Sequence, residues 1–309
     1  MDAALFATQI VNGLQLGVLF FLVASGLTLV FGILDFVNLA HGVYYMLGAF
    51  LSASIAQATG SWLASIALGL PLVALFGLAT ERLVARPLYG RSHLAQVLAT
   101  FGLILASSAA AMLIWGVDGR AIALPAWLEG QVNLGGQVQL PLYRLVIIGV
   151  GLVVAGGLHF GIRHTRFGAL VRAAAANREM AEALGVNTAR LFSAVFALGA
   201  ALAGLAGMLV APITEASLAM SLEVIIIALV IIIIGGLGSL KGAFVAAMLV
   251  GLMDTMGRAW LDDLFKLAMP AEMAETAAPA VSAMGIYILM AVVLALRPQG
   301  LFPPVGRGT

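Results

Sequence analysis

Long apolar runs separated by short polar breaks dominate this chain. Nine stand out, at residues 5–31, 36–58, 62–84, 94–115, 142–161, 191–211, 224–235, 242–256 and 279–296. A helix needs about 20 apolar residues to cross the hydrocarbon core of a bilayer, and most of the runs supply close to that. The run at 224–235 is too short to cross as a straight helix. It predicts a half-helix that enters and breaks, which is tolerated only where protein or a cavity surrounds the loose backbone. The pattern therefore predicts an all-α polytopic membrane fold, one domain over residues 1–309, with about eight or nine transmembrane or re-entrant helices.

Composition sharpens this reading. The chain has 309 residues, of which 62% are hydrophobic and 9% charged, and a mean hydropathy of +1.11. A soluble domain carries about 25% charged residues, so the solvent for this much apolar surface is lipid. A net charge of +1 makes no electrostatic case for nucleic acid. The absence of cysteine excludes disulfides, thiol nucleophiles and Cys-based metal sites. The first run has no basic region before it and reads as a retained span, not a cleaved signal. Small-residue pairs at Gly13/Gly17, Gly157/Gly161 and Ala203/Gly207 suit close helix packing in lipid.

Charge placement orients the chain. With the N-terminus outside, the inner loops hold Arg82, Arg86, Arg91, Arg163, Arg166, Arg172, Arg178, Arg190, Lys241, Arg297 and Arg307. The outer loops hold only Arg120, Arg144, Arg258 and Lys266, and most of the acids. Cytoplasmic loops are enriched in Lys and Arg, so an odd number of crossings places the N-terminus outside and the C-terminus in the cytoplasm. If the second run re-enters instead of crossing, the N-terminus flips. Two outer stretches are long, a Gly-rich one at 116–141 and an acidic one at 258–278; each is either a solvated connector or a surface for a soluble partner.

Familiar catalytic patterns are missing. GGLGSLKG at 235–242 fails the phosphate-loop spacing, which needs Gly-Lys-Ser/Thr after four intervening residues. There is no His-Glu-x-x-His or Gly-x-Ser-x-Gly, and the four histidines, His41, His93, His159 and His164, include no pair at i, i+4. Ionisable groups central to a span, expected of a proton- or sodium-coupled carrier, are also lacking: Glu81, Glu223 and Asp254 lie at span ends. An enzyme and an ion-coupled carrier are the weaker readings.

Three polar stretches remain. DFVNLAHGVYYMLG at 35–48 carries Asn38 and His41 into an apolar helix. Without partners each would cost several kcal/mol in lipid, so this is either a satisfied helix break pinning two spans or an element of a pathway, with Tyr44 lining it or anchoring at the interface. Gly235, Gly236, Gly238 and Ser239 make either a tight turn or a half-helix end able to hold polar solute groups. Residues 163–190 form a basic segment whose 169–184 stretch predicts one helix with Arg172, Arg178, Ala181 and Glu182, ended by Gly185 as a C-cap. So long a polar helix, in a chain that otherwise has short loops, reads as a docking handle for a separate motor protein rather than as the alternative, a solvated connecting helix.

At these residues the chain resembles the permease subunits of bacterial branched-chain (hydrophobic) amino-acid ABC importers. The resemblance rests on LTLVFGILDFVNLAHGVYYMLGAF at 27–50, AAAANREMAEALGVNTARLFSAVFALGAALAGLAGML at 173–209, IIGGLGSLKGAF at 233–244 and LRPQGLF at 296–302, and it spans nearly the whole chain. It implies a permease that is not itself an enzyme and carries no cofactor. ATP-Mg would act on ABC ATPase subunits that dock near Glu182 and Gly185. A second homologous permease subunit, making a heterodimer, and a periplasmic substrate-binding protein would complete an importer in the bacterial inner membrane. Ala181 and Gly185 keep part of the coupling motif, which departs from the strict Glu-Ala-Ala pattern of other importers. Val43 stands where many relatives carry an acid. The family also includes urea, amide and aromatic-acid importers.

Overall fold

The computed structural model describes residues 3–133 and 139–302; Arg307, assigned above to the inner side, lies outside them. The elements are α1 (Ala3–Leu34), α2 (His41–Thr59), α3 (Trp62–Thr80), α4 (His93–Trp115), strands β1 (Gln131–Asn133) and β2 (Gln139–Pro141), α5 (Leu142–His164), α6 (Arg166–Ala176), α7 (Arg178–Ala183), α8 (Thr188–Thr214), α9 (Met220–Gly235), α10 (Leu240–Lys266) and α11 (Ala271–Leu296). Among the described residues, seven helices are long and apolar enough to cross a membrane: α1, α3 with its continuation to Leu88, α4, α5, α8, α10 and α11. With α2 and α9 they answer the nine apolar runs one for one. The chain is an all-α polytopic membrane protein. At 16 residues, α9 rises about 24 Å, short of the roughly 30 Å hydrocarbon core, as its sequence predicts.

Helices α1, α2, α8 and α9 form the buried centre; α4, α5 and α11 lie outside and expose most of their apolar side chains. Small residues let the central backbones touch. Gly26 of α1 meets Gly199 of α8, Gly48 of α2 meets Gly204, and Gly207 lies on the Tyr45 carbonyl, where a Cβ would overlap backbone. Gly13 and Gly17 pack on α10 at Gly251, Leu252 and Ala247. Two of the three small-residue pairs are thus packing contacts. The third is not, because a Cβ on Gly157 or Gly161 would meet only open space.

Four expectations need correction. The helix predicted over 169–184 is two helices broken at Asn177, whose φ of −157° is extended and whose side chain caps α7. The acidic outer stretch 258–278 is mostly helix: α10 runs on to Lys266 and α11 starts at Ala271, with Pro279 inside it. Run two becomes helical only at His41, because the five preceding residues are non-helical, the last two of them a turn. Tyr44 is fully buried rather than interfacial. The outer 116–141 stretch closes with the β1–β2 hairpin, in register Val132 to Leu140, and Arg120 pairs by backbone with Ala216.

Candidate functional site

The connector between α1 and α2 is built from non-helical backbone held inside the bundle. The Val37 N–H donates to Gln96 Oε1 (3.1 Å) and the Leu39 N–H to Thr100 Oγ1 (3.2 Å), so two buried polar residues of α4 replace the lost helical bonds. The chain folds back deeply. The His41 ring nitrogen Nε2 lies 3.1 Å from the Val23 carbonyl, and Val23 sits 11 residues before the end of α1, about 16 Å of helix rise. Helix α2 therefore starts far within the bundle, and Ala40 at its N-cap supplies no side-chain bond.

Buried polar atoms gather at this start. Asn38 is 1% exposed and His41 and Tyr44 are fully buried. Both amide atoms of Asn38, His41 Nδ1 and the Tyr44 hydroxyl have no hydrogen-bond partner. A carbonyl only accepts, so His41 Nε2 carries the proton given to Val23, and neutral Nδ1 is left with a free lone pair. The His41 and Tyr44 rings meet edge to face at 5.6 Å. Asn38 and Thr80 approach the Tyr44 hydroxyl without closing a bond of normal geometry. Phe76 and Phe196 pack edge-on against Tyr44 at 6.1 and 6.3 Å, and Phe36 lies beyond Phe196. Structure thus brings Asn38, His41 and Tyr44 together.

Gly235, Gly236, Gly238 and Ser239 sit elsewhere. Positive φ angles at Gly236 (104°) and Gly238 (85°) turn the chain out of α9, and Ser239 caps α10 by accepting from the Gly242 N–H (3.1 Å). Helix ends leave carbonyls unsatisfied. Here the Leu301 and Phe302 N–H groups donate to Ile234 (2.8 Å) and Gly235 (3.0 Å). The LRPQGLF and GGLGSLKG stretches, distant in sequence, are one packed unit that also touches Gly32 of α1.

Residues 163–190 form a capped hairpin of short helices. Thr165, Asn177 and Asn187 cap α6, α7 and α8 by accepting from Gly168, Met180 and Arg190 N–H groups. Gly185, at φ 85°, ends α7 as expected, with the Val186 N–H reaching back to the Ala181 carbonyl (3.0 Å) in a Schellman-type cap. The charged candidates hold this shape. Arg172 donates to the Ile162 carbonyl at the end of α5. Arg178 Nε bonds Glu182 (3.0 Å), and its guanidinium lies 5.0 Å from the Phe192 ring centroid. Glu182 also accepts from the Thr188 hydroxyl. The Thr188 bond first and Arg178 second hold the Glu182 carboxyl below its ordinary 4.5. Ala181 is buried, whereas Met180 and Leu184 stand 58% and 78% exposed. The mild apolar stripe expected on this segment is split: Ala174 and Ala181 face inward, Leu170 and Leu184 outward.

A junction missed in the sequence lies beneath the hairpin. Helix α3 loosens into a π turn over Glu81–Ala85, and the Glu81 side chain is fully buried. Its carboxylate accepts from Arg86 Nε (3.1 Å) and Nη2 (3.0 Å), Tyr89 Oη (3.0 Å) and Ser193 Oγ of α8 (2.8 Å). Burial first and Glu81 second push the Tyr89 phenol upward, so it stays a donor. The Tyr89 ring meets Phe36 and Phe192 edge to face. Aromatic contacts thus run from Arg178 through Phe192, Tyr89, Phe36 and Phe196 to Tyr44. The five-residue spacing of Glu81 and Arg86 was the available sequence signal.

Comparison with known proteins agrees with this architecture. Residues 9–296 match the family model described as branched-chain amino acid transport system / permease component. The chain is similar to a high-affinity branched-chain amino acid transport system permease protein, BraD, of Pseudomonas aeruginosa: 30% identical over 318 residues, 96% of this chain and 95% of that one. It is similar to LivH, carrying the same description, of Salmonella typhimurium (30% over 281 residues, 84% and 89%) and of Escherichia coli K12 (29% over 282 residues, 84% and 89%). No solved structure matches it. A match over nearly the full length, on a bundle whose broken α1–α2 connector and capped 163–190 hairpin carry the quoted motifs, places the chain in the permease component family of branched-chain amino acid transport systems.

Proposed function

We propose that this chain is the membrane subunit of an ATP-driven importer that moves branched-chain or other hydrophobic amino acids across the bacterial inner membrane. The observation carrying the reading is the 163–190 hairpin: three caps and a glycine stop rigidify it, and it presents Met180 and Leu184 to solvent. Apolar side chains standing singly on a surface need no explanation, but two of them four positions apart on one face of a polar helix form a contact surface for a protein partner. ABC ATPase subunits dock there, bind ATP-Mg and hydrolyse it; the chain performs no chemistry. Arg172, Arg178, Ala181, Glu182 and Gly185 act by fixing the shape of the docking surface. The N-terminus lies outside and the C-terminus in the cytoplasm, in keeping with the excess of Lys and Arg on that side. A second homologous permease completes a heterodimeric pore, and a periplasmic binding protein delivers the solute. The solute path runs past Asn38, His41 and Tyr44, with the Gly235–Ser239 turn at its inner end. The partners drive transport by binding two states of the bundle with different free energy.

The test is ATP-dependent uptake of labelled leucine by liposomes holding this chain, its partner permease and ATPases, with and without binding protein. Uptake that needs all of them supports the reading. Uptake by the chain alone refutes it in favour of a carrier, and ATPase stimulation only by urea, amides or aromatic acids replaces the solute.

A further inference from the structure

We infer that the buried start of α2 is a binding site for the zwitterionic head of a free α-amino acid, a site that deepens the transport reading above and rests on it. Two independent features converge there. One is a helix N-terminus deep in the bundle with no capping side chain; such an end carries partial positive charge and favours anions, and broken membrane helices use it for solute carboxylates. The other is the set of unpartnered polar atoms on Asn38, His41 and Tyr44, all more than nine-tenths buried. Buried polar groups are almost always paired, and three unpaired residues within seven positions of one segment signal a missing ligand.

The donor and acceptor types suit a zwitterion. Asn38 Nδ2 and the Tyr44 hydroxyl donate to the carboxylate, within the positive field of the α2 N-terminus, whose His41 and Val43 N–H groups already bond the Asn38 (3.3 Å) and Ala40 (3.0 Å) carbonyls. His41 Nδ1, held as an acceptor because Nε2 is committed to Val23, and Asn38 Oδ1 accept from the ammonium. The Phe76 and Phe196 rings against Tyr44, with Phe36 behind Phe196, offer an apolar wall to an aliphatic side chain. These rings close the space in this structure, so they part for the solute to enter. The site reads the head group common to all α-amino acids and leaves side-chain choice to the shape of that wall.

The experiment uses the complete permease–ATPase complex in nanodiscs, without binding protein, and a leucine analogue carrying a photoreactive diazirine on its side chain. Expected is crosslinking to the segment holding residues 36–44 or to Phe76 or Phe196, blocked by leucine but not by leucinamide or 3-methylbutylamine, which lack the carboxylate. Tyr44→Phe keeps the ring and should weaken the leucine block about tenfold to a hundredfold while leaving the protein as stable or more so, since it deletes an unpaired hydroxyl. A purely structural Tyr44 would instead lose stability and leave the block unchanged. Equal competition by leucinamide, or crosslinks confined elsewhere in a complex that still imports leucine, overturns the site. Failure of the wild-type complex to import leucine with its binding protein sinks the transport reading itself, which separates the two failures.

Discussion

Removing the Glu81 carboxylate tests whether the π turn is held by charge or merely by packing. Glu81→Ala strips four donor contacts from one fully buried group. Breaking a buried ion pair by deleting one partner costs about 3–5 kcal/mol. Two features lower the figure here. The Arg86 side chain is 42% exposed and can turn to water, where a surface pair contributes about 0–1 kcal/mol. Ser193 keeps the Ala189 carbonyl (2.9 Å). Tyr89, mostly buried, has no such refuge and loses a charge-assisted bond of about 1.5–3 kcal/mol. The expected cost is about 3 kcal/mol, more than a hundredfold in the unfolding constant. The assay is reversible denaturation of the purified chain in mixed micelles, followed by the fluorescence of its four tryptophans. Arg86→Ala leaves the fully buried Glu81 carboxylate without its cation and should itself cost about 3 kcal/mol, and the double variant should show a coupling of about 1–2 kcal/mol. A Glu81→Ala cost below about 1 kcal/mol, or strict additivity with Arg86→Ala, would refute the reasoning: the carboxylate would then be incidental to a turn set by apolar packing.

Three further outcomes follow from the same geometry. Leu184→Glu and Met180→Glu alter exposed positions, so stability should shift by no more than about 0.5 kcal/mol, while co-purification of the ATPases falls sharply; retained assembly would show that docking lies elsewhere. Gly207→Ala places a methyl on the Tyr45 carbonyl and should cost about 1–3 kcal/mol by overpacking; unchanged thermal stability would mean that α2 and α8 slide apart freely. Glu182 has a folded-state pKa below its ordinary 4.5, so its bonds to Thr188 and Arg178 contribute fully above about pH 4.5 and are lost as pH falls through the lower folded value. A spin label at Met180→Cys should gain mobility over that acid range and not on raising the pH, and Glu182→Gln should abolish the step.

Where helices lie was largely legible, because nine apolar runs, most of them of membrane length, leave few alternatives. What failed has a common physical cause. The sequence around Asn177 favours helix on propensity, yet its side chain offers the backbone a cap that competes with helical bonding, and the cap wins. The acidic residues near 262–275 suggested a loop, but charge on a solvent-facing surface does not stop a helix. Phe36 to Ala40 looked like the start of a span. Their non-helical backbone is held by Gln96 and Thr100, 59 and 61 residues away, which supply acceptors.

The candidate site divides along the same line. Asn38 and His41 could be singled out in the sequence because a polar group entering an apolar run is costly wherever it ends up. That they share their burial with Tyr44 at an uncapped helix start could not, since it depends on how far the chain doubles back along α1 to Val23. Glu81 was hidden for the converse reason. At the end of an apolar run it looks like an ordinary interfacial acid, and its burial is made tolerable by Arg86 and Tyr89 together with Ser193, 112 positions onward. That contact ties the end of α3 to the start of α8, immediately after the hairpin proposed to receive the ATPases, and the aromatic contacts through Tyr89 and Phe36 continue from there to Tyr44. A displacement of α7 therefore cannot leave the α1–α2 connector undisturbed unless this packed chain yields. In a close-packed interior such a chain transmits displacement when its links hold, and Glu81, which holds the Tyr89 hydroxyl (3.0 Å), is the group whose loss should free the hairpin from the proposed solute site.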